Sequence, residues 1–234
     1  MAVQAMLQAA CSHFNNRMYR LSPDVSTEFC GLHCVRLHKT PMPNLVVIFG
    51  PPAAGKAAVG HELAALTGYR FFHNHLTADP AAALFGWGGE RFARTVDAIR
   101  DVLFREAASD SSISGVIFTF VWGINLPDDT ALMQKLSALF TDGGGQVFFV
   151  ELLASLETRI AREGTAFRIG LKPAQRDVEA ARARQVEFDG KYVFNTDGWL
   201  PLDYPHLVID TEALSPVDAA QKIKVALTAA PSAA

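Results

Sequence analysis

Gly50, Gly55 and Lys56 stand within the run GPPAAGKAAVG (residues 50–60), at the spacing G-x-x-x-x-G-K of a loop that cradles phosphates. Backbone N–H groups in such a loop point inward at phosphate oxygens. The helix that follows adds a favourable dipole at its N-terminus, and the lysine reaches the terminal phosphates as a point charge. The pattern normally continues with Ser or Thr, whose hydroxyl holds Mg²⁺. Here Ala57 and then Ala58 follow, and neither supplies that oxygen. Gly50, Pro51, Pro52, Ala53, Ala54, Gly55, Lys56, Ala57 and Ala58 are the expected nucleotide-phosphate site, and Lys56 is also a candidate for catalysis.

A second polar group reads His73-Asn74-His75, with Asp79 four residues beyond His75. Read as the end of a strand, it turns His73 and His75 to one side. An imidazole accepts a proton near neutral pH. His73, Asn74 and His75 are candidate substrate contacts, with His75 or Asp79 as base. Histidines held by hydrogen bonds at a sheet edge are the competing reading. The letters H-N-H suggest a nuclease, but nothing else of a ββα-metal nuclease surrounds them. Trp122 could stack on a base or sugar, or fill the core.

The elements that must position these groups are legible. Asn44–Gly50 is a short apolar run closed by Gly-Pro-Pro, which predicts a buried parallel strand. Residues 56–67 predict a helix stopped by Gly68. Tyr69–His73, Gly115–Val121, Gln146–Leu153 and His206–Asp210 predict further strands. Residues 90–107 predict an amphipathic helix with Phe92, Val96, Ile99 and Leu103 on one side. Pro127 opens a helix to about Phe140. Another helical region runs from Leu156 to about Phe188 with a break near Gly164–Pro173, and Ser215–Leu227 predicts a last helix. Strands alternating with helices predict an α/β chain with one parallel, roughly five-stranded sheet covered on both faces.

Composition narrows the partners. The chain has 234 residues, 50% hydrophobic and 19% charged, with net charge −3, enough for a full core and without the basic surplus of a nucleic-acid binder. Its longest purely aliphatic or aromatic run, Leu45–Phe49, is too short to span a bilayer. No secretory signal opens the chain, so a cytoplasmic location is expected. Residues 1–41 lack a period and hold all three cysteines, Cys11, Cys30 and Cys34. They are expected to be poorly ordered or appended ahead of a domain over residues 42–234, and Met42 fits an alternative start. Cys11, His13, Cys30, His33, Cys34 and His38 do not form a standard zinc spacing, and no metal-ligand set is expected.

The stretches VVIFGPPAAGK, GYRFFHNHLT, GVIFTFVWGINLP, VFFVELLASLETRIAR and HLVIDTEALSP resemble the small P-loop kinases of the shikimate, gluconate and adenylate kinase group. Within it, the chain looks closest to bacterial shikimate-kinase-like or AAA-type ATPases of unknown substrate. The resemblance covers everything after the first 41 residues. It implies a three-layer α/β/α P-loop fold with an arginine-bearing lid, ATP as cofactor, and Mg²⁺ held mainly through phosphates and water. LETRIAREGTAFRIGLKPAQRD resembles the lid stretch, which marks Arg162 and Arg168 as candidates to stabilise a transferring phosphoryl group. Arg159 is a candidate on the adenine or phosphate side, and Thr211, ending the last strand, lies where the group places adenine. A solvated helix laced with Glu157, Glu163, Asp177 and Glu179 is the competing reading of the arginines. Two departures stand out: the group usually carries Asp at the end of its second strand, and the third strand here lacks the closing Asp that supports Mg²⁺. Asp128 and Asp129 read as helix-start residues, and Glu151 as a candidate indirect support for the metal.

These features suit a kinase that moves the γ-phosphoryl group of ATP to an unidentified small molecule. A nucleotide-binding sensor or interaction module, or a simple ATPase, fits the same loop. The oligomeric state is open.

Overall fold

The structure, a computed structural model, describes residues 42–165 and 177–229. The extension over residues 1–41 and the lid candidate Arg168 lie outside them. In chain order the elements are β1 (Asn44–Phe49), α1 (Lys56–Thr67), β2 (Arg70–His73), α2 (His75–Phe85), α3 (Gly89–Ser109) and β3 (Gly115–Thr119). They continue with α4 (Pro127–Gly143), β4 (Val147–Leu153), α5 (Leu156–Ala161), α6 (Val178–Lys191), β5 (His206–Asp210) and α7 (Pro216–Ala229).

All pairings in the sheet are parallel, in the order β2-β3-β1-β4-β5. β1 is central and its side chains from Leu45 to Phe49 are fully buried, which is why this strand reads as an unbroken apolar run. Its alternating residues feed two cores. Leu45, Val47 and Phe49 pack with Phe118, Phe104 of α3 and Met133, Leu136 and Phe140 of α4. Val46 and Ile48 pack with Val59 and Leu63 of α1 and Ala219, Ala220 and Ile223 of α7. The result is a three-layer α/β/α fold. No helix among the described residues is long and apolar enough to cross a membrane.

Topology fixes where a ligand belongs. The chain builds one side of the sheet from β2 and β3 and the other from β4 and β5, with β1 as the switch point. The crevice outside the carboxyl ends of the strands at such a point is the usual binding place in open α/β sheets. Residues 50–55 leave β1 there.

Two expectations change. The strand containing His73 stops at that residue, and His75 opens α2 rather than extending the strand. Pro80 sits inside α2 and disguises it, because proline normally ends a helix. In α3 the inward row is Val96, Arg100, Phe104 and Ala108, while Leu103 is exposed. The row steps by four residues and includes an arginine, so of the expected stripe Phe92 and Val96 pack inward, Ile99 is half-buried and Leu103 falls outside.

Candidate active site

Residues 50–56 fold as a tight cradle. Gly50 holds φ +131° and Gly55 +96°, values that glycine adopts without a Cβ penalty. Ala53 takes φ +62°, which costs an L-residue about 1–3 kcal/mol and is kept where surrounding structure imposes it. Lys56 begins α1, and its Nζ donates to the carbonyls of Gly50 at 2.7 Å and Pro51 at 2.5 Å. The ammonium is thus held across the loop rather than extended into solvent.

The loop forms one wall of a cavity of about 250 Å³. Ala53 to Ala58 line it together with His73, Asn74 and His75 from the β2 end and Arg162 and Thr211 from the opposite side. Regions far apart in sequence meet here because the strand ends that carry them share one edge of the sheet.

On the β2 side, His75 Nδ1 lies 2.8 Å from Asp79 Oδ1. Residues four apart on a helix face one another, so the turn into α2 creates this pair. Asn74 Oδ1 accepts from Arg100 Nη2 at 2.7 Å, and Arg100 Nη1 donates to Asp97 Oδ1 at 3.1 Å. The guanidinium lies 5.7 Å from the centre of the Phe120 ring. Burial pushes Arg100 below its ordinary value, and the charges of Asp97 and Asp129 oppose that shift. Arg100 therefore orients Asn74 from within the fold. Its only sequence signal is an arginine in the apolar i, i+4 row of α3.

On the β5 side, Arg162 Nη1 and Nη2 donate to the Thr211 hydroxyl at 3.1 Å and carbonyl at 2.7 Å. The same hydroxyl lies 3.0 Å from Ala54 O and 2.9 Å from Leu153 O. Thr211 thus joins the loop after β1, the end of β4 and Arg162.

Two candidates fall elsewhere. Trp122 is 0% exposed, packs on Phe49 and Phe149, and donates from Nε1 to Thr130 Oγ1 at 3.1 Å. It is a core residue and does not line the cavity. Arg159 is buried between α5 and α6, where it pairs with Asp189 and donates from Nε to Ala154 O at 3.1 Å. It faces its own scaffold, while Arg162, just past the end of α5, lines the cavity. Arg159→Ala is expected to destabilise the fold by about 2–3 kcal/mol, from a lost buried pair and an unsatisfied carbonyl. A thermal melt should show the loss, with nucleotide affinity retained at temperatures where the protein stays folded.

The remaining carboxylates are also placed. Asp129 Oδ2 accepts from Gly123 N at 2.8 Å, and burial pushes its carboxyl up. Glu151 is buried in a polar knot, accepting from Asn195 Nδ2 at 2.9 Å and Thr196 N at 2.8 Å, with His206 Nε2 at 3.0 Å. It pins residues 195–196 to β4 and does not line the cavity. Among the described residues, no cluster of three or more His, Cys, Asp or Glu side chains could hold a metal ion.

No family model matches the chain, and no curated protein matches it. Solved structures do. The APS kinase CysC of Mycobacterium tuberculosis, solved with AMPPNP and APS, is 18% identical, with a TM-score of 0.51 over 80% of this chain and 99% of that one. A protein of Chloroflexus aurantiacus, assigned only provisionally as a kinase, is 21% identical, with a TM-score of 0.53 over 82% and 99%. The shikimate kinase of Acinetobacter baumannii, solved with shikimate, is 21% identical, with a TM-score of 0.46 over 80% and 94%. At these identities the likeness is one of fold alone, and it rests on the first two structures, whose TM-scores exceed 0.5.

Proposed function

We propose that this protein binds ATP at the loop over residues 50–58 and transfers its γ-phosphoryl group to a small molecule seated against His73, Asn74 and His75. The observation that carries the reading is the convergence of the phosphate loop, a His–Asp pair and a cavity-lining arginine on one crevice. Nucleotide binding alone requires only the first of these.

Each group has a role that its geometry suits. Lys56 and the loop N–H groups take the β- and γ-phosphates, with Lys56 exchanging loop carbonyls for phosphate oxygens. Arg162 stabilises charge spreading over the transferred group, and Arg168 is proposed to join it. Asp79 accepts from His75 Nδ1–H, which fixes the tautomer and assigns proton acceptance to Nε2. An acceptor hydroxyl loses its proton there as its oxygen attacks the γ-phosphorus and ADP departs. Asn74, oriented by Arg100, positions the acceptor. Mg²⁺, when bound, would be held mainly through phosphate oxygens and water and would need few protein ligands, which suits a site with no carboxylate cluster among the described residues.

The test is incubation with Mg·ATP and pooled small metabolites, following ADP and phosphorylated products. Acceptor-dependent ADP release is expected. His75→Gln is expected to lower that turnover by about 10²–10⁴-fold, the range for a general base, while leaving ATP affinity unchanged. An equal loss of affinity would place His75 in nucleotide binding instead. Ala57 favours a second reading, a nucleotide sensor without transfer. Tight ATP binding with no turnover would support it.

A further inference from the structure

Resting on that nucleotide reading, we infer that Thr119 supplies the protein oxygen for Mg²⁺ that Ala57 cannot. Thr119 closes β3, pairs in register with Ile48 of β1 and lines the cavity with Lys56 and Ala57. It is 5% exposed, and among the described residues its hydroxyl has no hydrogen-bond partner. The hydroxyl oxygen is nonetheless not among the sealed-in polar atoms that lack a partner, so what remains exposed of this residue leaves it open to the cavity.

Its orientation points the same way. The methyl branch is turned to α1: a Cβ placed on Gly60 would lie 3.4 Å from Thr119 Cγ2. The hydroxyl is the branch left for the cavity. Gly60 lies one helical turn beyond Ala57 on the same face of α1, so Thr119 stands across from the position that ordinarily carries the metal-binding hydroxyl. A neutral oxygen from the strand thereby replaces a neutral oxygen from the helix. Mg²⁺ prefers such hard ligands and keeps most of its waters, so one hydroxyl, given directly or through water, matches its demand. The charge is neutralised by the phosphates rather than by a carboxylate.

Calorimetric titration with AMPPNP, in excess Mg²⁺ and in excess EDTA, tests this without turnover. In the unaltered protein Mg²⁺ is expected to tighten binding by about tenfold or more. Thr119→Val keeps the shape and removes the oxygen; it should abolish most of that gain, on the scale of 10–100-fold seen when a metal's outer partners are lost, and leave the EDTA value unchanged. Thr119→Ser should keep the gain, and the double variant Ala57→Ser/Thr119→Val should recover it. An undiminished Mg²⁺ effect in Thr119→Val, or an equal loss in EDTA, overturns the assignment; the latter would put the hydroxyl on phosphate. Should Thr119→Val not fold, the comparison of Thr119→Ser with Thr119→Ala decides by the same criteria. Tight binding by the unaltered protein that ignores Mg²⁺ overturns this inference alone. No AMPPNP binding in either condition overturns the proposed function as well.

Discussion

Lys56→Ala is expected to weaken ATP binding by about 10²–10³-fold. A charge-assisted hydrogen bond is worth about 1.5–3 kcal/mol, and a lysine ammonium engaging two phosphates makes at least two. Allowing for non-additivity, a loss of about 3–4 kcal/mol corresponds to that range at 1.4 kcal/mol per tenfold. Stability should change less. The bonds from Nζ to the buried Gly50 and Pro51 carbonyls are lost, which costs about 1–3 kcal/mol. Calorimetry and a thermal melt separate the two effects. A melt shifted by many degrees with affinity preserved would make Lys56 a clamp for the loop, not a ligand for phosphate.

Gly50→Ala has the largest expected effect on the fold. A Cβ at Gly50 would lie 2.4 Å from the carbonyl oxygen of Leu152, a backbone atom of β4 that cannot rotate away. The position also needs φ +131°, which an L-residue strongly resists. Strain and overpacking together should cost about 3–5 kcal/mol, or a fall of about 10 °C in Tm for a domain of this size. Because β1 and β4 support the loop from either side, nucleotide binding should fall with stability. A variant that melts like the unaltered protein would show that the loop can leave β4 without cost.

Much of this was legible in the sequence. The apolar runs, the glycine turn and the lysine specify β1, the loop and α1 within a short stretch, because strand burial and the geometry of a glycine turn are both local. The alternation of strands and helices gives the layered parallel sheet for the same reason. The β2 side of the cavity was less legible. His75 and Asp79 are named by their residue types, but their pairing depends on a helix that Pro80 conceals. Arg100 reaches Asn74 across 26 positions, and no local pattern announces that contact. Arg159 and Arg162 look alike as letters, and only the packing of α5 against α6 sends one inward to Asp189 and the other to Thr211. Thr119 is silent in sequence because a threonine in a strand is ordinary; its place across from Ala57 appears only when β3 and α1 are set side by side.

The most direct measurement is a calorimetric titration of the unaltered protein with Mg·ATP, followed by competition with pyrophosphate. Saturable one-to-one binding, displaced by pyrophosphate and lost in Lys56→Ala, is the predicted result. No saturable binding, or binding that neither pyrophosphate nor Lys56→Ala disturbs, would contradict a phosphate site at the loop between β1 and α1.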